Sequence, residues 1–109
     1  MTDLSLPTYW VHVYLSGPIG VVQQCLRQEC FREGLCVTVS PTHFIYTGGE
    51  EAGVVVALIN YPKFPVETDV VWCRAVDIAR RLMDATYQDS VLIQSPNTTR
   101  WLSRRTEGR

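Results

Sequence analysis

The stretch Phe44–Pro65 (FIYTGGEEAGVVVALINYPKFP) constrains the fold more than any other part of the chain. A short aromatic strand runs into a glycine-rich turn, then into the most apolar run of the sequence, and stops at two prolines. From Val54 to Tyr61 only Asn60 and the Tyr61 hydroxyl are polar, so a strand here is expected inside a sheet with both faces covered. The remaining residues have to supply that cover. At 109 residues, 46% hydrophobic and 19% charged, the chain has material for one domain with its own core.

Before this stretch, Tyr9–Leu15 alternates as a strand, with Tyr9, Val11, Val13 and Leu15 on one face and Trp10, His12 and Tyr14 on the other. Pro18 suits the first position of a helix, where no amide donor is needed, and Ile19, Val22, Leu26 and Cys30 follow at helical spacing. Gly34 is the expected stop. Leu35–Ser40 alternates again, Pro41 marks a bend or an edge position, and the strand resumes at His43–Thr47. Gly48–Gly53 is expected to form the hairpin turn.

Beyond the prolines, Val66–Tyr87 reads as a second helix with Val71, Ala75, Ile78, Leu82 and Thr86 as its buried seam. Ser90–Ser95 is a last strand, ended by Pro96. The domain is therefore expected over residues 1–96, with 97–109 as an Arg-rich C-terminal tail. The order β-α-β-β-α-β predicts an α+β two-layer sandwich, one antiparallel sheet with both helices on one face. Across roughly residues 9–95 this layout resembles the ferredoxin-like fold, in element order rather than in any motif.

Two helices cover one face of such a sheet. The other is left with Trp10, His12 and Tyr14 and with one row of the apolar strand, either Val54, Val56, Leu58 or Val55, Ala57, Ile59. Such a face is either covered by the tail or by the Pro41 bend, or it marks an interface, here a homodimer or a different protein partner. Base stacking on this face is disfavoured, because the apolar strand offers no aromatic before Tyr61 and no flanking base. A net charge of −1 likewise argues against nucleic acid as a partner. The charge is uneven: six basic against ten acidic residues up to position 99, then four arginines against one Glu.

No stretch is long and apolar enough for a membrane span, and Met1–Pro7 lacks the basic start of a signal peptide. The expected location is the cytoplasm, with Cys25, Cys30, Cys36 and Cys73 as free thiols, buried as small hydrophobes. Catalytic patterns are sparse. Gly48–Gly53 has the spacing of a phosphate loop but is followed by Val54 and Val55 and carries Glu50 and Glu51, which repel phosphate. The cysteines lack metal spacing, and no motif ties a nucleophile to His12 or His43.

The leading expectation is thus a non-catalytic module that binds a protein partner and needs neither cofactor nor metal. Its contact residues would be Glu50 and Glu51 at the acidic turn, Tyr61 and Phe64 in the proline-rigid loop, and Arg100, Trp101, Arg104 and Arg105 in the tail. Compact, motif-free and single-domain, the chain resembles small orphan proteins of phages and mobile elements. That resemblance implies a stoichiometric inhibitor of a host complex, as anti-CRISPR proteins are. The rival reading is a homodimeric ligand-binding or enzymatic domain, with a pocket between open sheets lined by Trp10, His12, Tyr14 and Tyr46.

Overall fold

A computed structural model describes residues 1–105 of the chain. The elements run β1 (Trp10–Ser16), α1 (Ile19–Glu33), β2 (Thr38–Tyr46), β3 (Gly49–Ile59), α2 (Thr68–Thr86), β4 (Ser90–Gln94) and β5 (Thr99–Ser103). All five strands join one antiparallel sheet in the order β2-β3-β1-β4-β5, and both helices pack on one face. This is the ferredoxin-like sandwich expected from the element order, with one strand added at the β4 edge.

That strand lies in the segment set apart as a polar tail. Residues 99–103 pair with β4 from Gln94↔Thr99 to Ser90↔Ser103, and Leu102 packs against the core. Residues 106–109 lie outside the described part of the chain. The strand escapes a sequence reading because its register comes from the edge of β4, not from apolar alternation of its own.

The core follows the periodicities. Val11, Val13 and Leu15 of β1, Val54, Val56 and Leu58 of β3, and Val91 and Ile93 of β4 meet α2 and α1 and are essentially inaccessible. The expected α2 seam of Val71, Ala75, Ile78, Leu82 and Thr86 is buried throughout, with Val76, Ala79 and Met83 beside it. Thr86 satisfies its hydroxyl on the Leu82 carbonyl at 2.7 Å, and Tyr87 closes the helix in the left-handed conformation at φ 56°. On α1 the seam includes a charged residue: Glu29 is 8% exposed and is neutralised by Arg32 at 2.7 Å and Arg81 of α2 at 3.1 Å. The pairing ties the two helices together and offsets the cost of burying the carboxylate.

The interior strand departs from expectation on one side. Val55 and Ala57 are half-buried and Ile59 is 52% exposed, because no helix covers that face. The hairpin also differs. The turn is only Thr47-Gly48, with Gly48 at φ +91°, so Glu50, Glu51, Ala52 and Gly53 belong to β3. Pro41 sits within β2 opposite Val54, tolerated because β2 is an edge strand.

Candidate functional site

The open face is defined by register, since directly opposed residues share a face. One row reads Ser40, Val55, Tyr14, Leu92, Trp101 across the five strands, and the next reads Thr38, Ala57, His12, Gln94, Thr99. Trp10, His12 and Tyr14 therefore lie along the central strand, as the alternation of β1 predicts. Trp101, expected as a tail contact, is carried by β5 onto this same face and is 53% exposed.

Within the row on β1 the rings are ordered. Trp10 and His12 stack with centroids 4.4 Å apart and planes 28° from parallel. His12 meets Tyr14 edge-on at 6.1 Å, and the Tyr14 hydroxyl lies 3.4 Å from His12 Nδ1. One strand step on, Ser16 donates its hydroxyl to Glu51 Oε1 at 2.6 Å. Glu51, expected on a solvated turn, is thereby held as an acceptor on the open face. Across from it Phe44 lies over Gly53, and at the hairpin tip Tyr46 lies over Gly49. The two glycines leave room for the two rings.

Other expected contact residues are dispersed. Glu50 points to the helix side of the hairpin, where its Oε1 is 3.6 Å from His43 Nε2, and both side chains are exposed. Arg104 is taken up by Asp84 of α2, and Arg105 stands 3.8 Å from Asp89. Arg104 thus meets the last turns of α2 and Arg105 the loop after it, which corrects the picture of a tail free to dock. Arg100 borders a groove with Tyr9, Asp69 and Trp72 on the helix side. Tyr61 and Phe64 face each other at 6.0 Å and line a separate cavity with Arg74. Tyr46 stands at the level of Gly49 and Trp10 at that of Ile59, so roughly 33 Å of strand separates them at about 3.3 Å per residue. Within one chain Tyr46 does not join the Trp10 cluster.

Two of the thiols, Cys25 and Cys30, are not poised as nucleophiles. Loss of hydration pushes Cys25 above the ordinary thiol range, with Glu29 adding to the rise and Arg81 opposing it. Partial burial likewise raises Cys30, helped by Cys36. Both hold their protons near neutrality and so react slowly. Cys36 and Cys73, expected to be buried, are exposed. Among the described residues no group of three His, Cys, Asp or Glu side chains could hold a metal ion, and no helix is long and apolar enough to cross a membrane.

Sequence reasoning missed Ser16, Leu92 and Gln94 on the open face. The first follows from the β1 alternation carried one step further. The other two lie opposite Val91 and Ile93 in the alternation of β4, a signal blurred because Leu92 is itself apolar.

The fold class has counterparts among solved structures. A phage SAM lyase in its apo state superimposes with a TM-score of 0.73 over 90% of each chain, at 13% sequence identity. A phage SAM lyase in complex with S-methyl-5′-thioadenosine does so with a TM-score of 0.73 over 100% of this chain and 98% of that one, also at 13% identity. No family model and no curated protein sequence matches the chain. At this identity the likeness is one of fold. The neighbours are phage proteins, in keeping with the resemblance to phage-encoded orphans. They correct the rest of that expectation, a non-catalytic inhibitor of the anti-CRISPR kind: the solved counterparts of this fold are an enzyme, one of them with a small molecule bound. The expectation of no catalysis rests on missing acid–base and nucleophile motifs, and a fold of this kind supports a lyase without advertising one in local sequence.

Proposed function

We propose that the chain is a small-molecule enzyme of the SAM-lyase kind, with its site on the open sheet face and a second copy closing it. The observation that carries this reading is the Trp10–His12 stack continuing into Tyr14, Ser16 and Glu51 on an uncovered face, in a fold shared end to end with a lyase holding a thioadenosine. The stacked rings offer a platform for adenine; about 20 Å of strand separates His12, level with Ala57, from Glu51 in the same chain, so the acceptor for ribose hydroxyls is the Glu51 carboxylate of the second copy. A flat sheet covers only one side of a ligand, so a second surface is required to exclude water. A second copy of the chain supplies it, and is the means by which Tyr46 reaches a Trp10 cluster.

The chemistry asks little of acid–base groups. Breaking the bond between sulfur and the γ-carbon of S-adenosylmethionine releases a neutral thioether, and sulfur keeps the electron pair. No proton has to reach the leaving group. In a lyase step without water, the substrate's own carboxylate supplies the pair that forms the new bond to that carbon, closing a five-membered lactone. The protein's task is to hold the carboxylate in line with the sulfur and to surround the sulfonium, whose charge vanishes in the step, with apolar side chains such as Val55, Ala57 and Leu92.

The test is to incubate the chain with S-adenosylmethionine and follow S-methyl-5′-thioadenosine by chromatography. Release is expected, and Trp10→Ala and Glu51→Gln are each expected to lower kcat/KM by about tenfold or more, the equivalent of one lost stacking or charge-assisted contact. No release, together with no thermal stabilisation by S-methyl-5′-thioadenosine, would refute the reading.

A further inference from the structure

A cavity of about 320 Å³ opens at the end of the sheet opposite the hairpin turn. It lies between the loop after α1, the end of β3, the connector to α2 and the first turns of α2. Its walls include Leu35, Leu58, Val66 and Val71, with Ile59, Tyr61 and Phe64 at the rim and Arg74 as its one charged lining residue. Arg74 is half-buried, and among the described residues no carboxylate lies within ion-pair distance of it. By contrast, Arg32, Arg81, Arg104 and Arg105 each have an acidic partner. Lys63 is outside the lining, its Nζ 5.6 Å from the centre of the Phe64 ring.

The walls are preformed. Pro62 and Pro65 stiffen the connector, and the Phe64 amide donates to the Tyr61 carbonyl at 3.0 Å. Asn60 anchors its start to the chain ahead of β1, accepting from the Tyr9 amide at 2.9 Å and donating to the Pro7 carbonyl at 2.6 Å. A loop pinned in this way cannot easily collapse onto Leu58 and Val71, so the apolar surface stays available. Its volume is at the small end for ligand pockets, which suits a fragment rather than a nucleotide. An apolar cavity with an unpaired guanidinium and no acid in its lining selects for one chemistry, an apolar body ending in a carboxylate.

We infer that this cavity is a binding site for a small apolar monocarboxylate, whose carboxylate pairs with Arg74 and whose hydrocarbon body rests against Leu35, Leu58, Val66, Val71 and the Phe64 ring. The site meets the open face only at Ile59, lies otherwise on the helix side, and does not depend on the lyase reading. Calorimetric titration of the full chain with 4-methylpentanoate and 3-phenylpropanoate, and with the neutral amide of each, tests it. At least one acid is expected to bind saturably and about tenfold or more tighter than its amide. Arg74→Gln is expected to bring that acid down to the affinity of its amide, and Ile59→Trp, which fills the rim, to weaken acid and amide together. Equal affinity for acid and amide, an unchanged affinity in Arg74→Gln, or no saturable binding of either acid would each overturn the inference.

Discussion

Gly53 lies where three strands crowd together. A Cβ built on it would stand 2.6 Å from the Leu15 carbonyl oxygen and 2.2 Å from Cε2 of Phe44. The ring could turn aside, but the carbonyl belongs to the β1–β3 ladder and could not. Gly53→Ala is therefore expected to cost about 1–3 kcal/mol in urea unfolding, with no rescue by adding Phe44→Leu. Gly20, exposed on α1 with nothing within 4 Å of its missing Cβ, should behave oppositely. Gly20→Ala is expected to stabilise by about 0.5–1 kcal/mol, since alanine gives up less backbone freedom in a helix. Equal effects at the two positions would contradict the packing described around Gly53. In the sequence Gly53 reads as a turn residue. Its actual constraint is cross-strand, which no local pattern encodes.

Among the elements, β5 is the one whose stability is least evident from its residues. It is held by ladder bonds to β4, by Leu102 on the core, and by Arg104 and Arg105 reaching Asp84 and Asp89. The backbone amide of Arg104 also donates to the Asp89 carbonyl at 2.8 Å. The ion pairs are exposed and weigh little, so Arg104→Ala should lower stability by less than about 1 kcal/mol. Leu102→Ala removes half-buried apolar surface and should cost more, about 1–2 kcal/mol. If Arg104→Ala proved the more damaging in urea titrations, electrostatics rather than packing would hold the strand. Helix α2, by contrast, is legible in full along its buried seam, because its apolar residues recur with the period of the helix itself.

At the scale of the whole molecule the described chain is elongated, 53 × 29 × 23 Å, with the β2–β3 hairpin reaching past the helices. Its arm leaves Ile45 77% and Tyr46 54% exposed, and the open face adds Ile59 and Trp101 at about half exposure. So much uncovered apolar surface on a small domain calls for a partner surface, and the proposed site needs one to close it. Light scattering is expected to give a mass of at least twice the 12.4 kDa of one chain. Val55→Glu, a charge in the centre of the open face, should return it to that of a single chain. A monomeric parent protein would remove the second copy from the proposed site.

Local pattern alone marks the two helices and the first four strands, and the sidedness of β1 and α2. Alternation in β1 set Val11, Val13 and Leu15 apart from Trp10, His12 and Tyr14, and the 3.6-residue period of α2 marked its seam, because both signals are carried by neighbours along the chain. It left open which row of β3 faces inward, and it misplaced Glu51 and Trp101. Those outcomes depend on pairing between segments far apart in sequence: β1 with β3 puts Glu51 beside Ser16, and β4 with β5 puts Trp101 in the row of Tyr14. The Arg74 cavity arises in the same way, where a loop, a strand end and a helix start meet. Strand order, register and the packing of helix on sheet decide such meetings, and a one-residue shift in register would turn Glu51 or Trp101 to the opposite face.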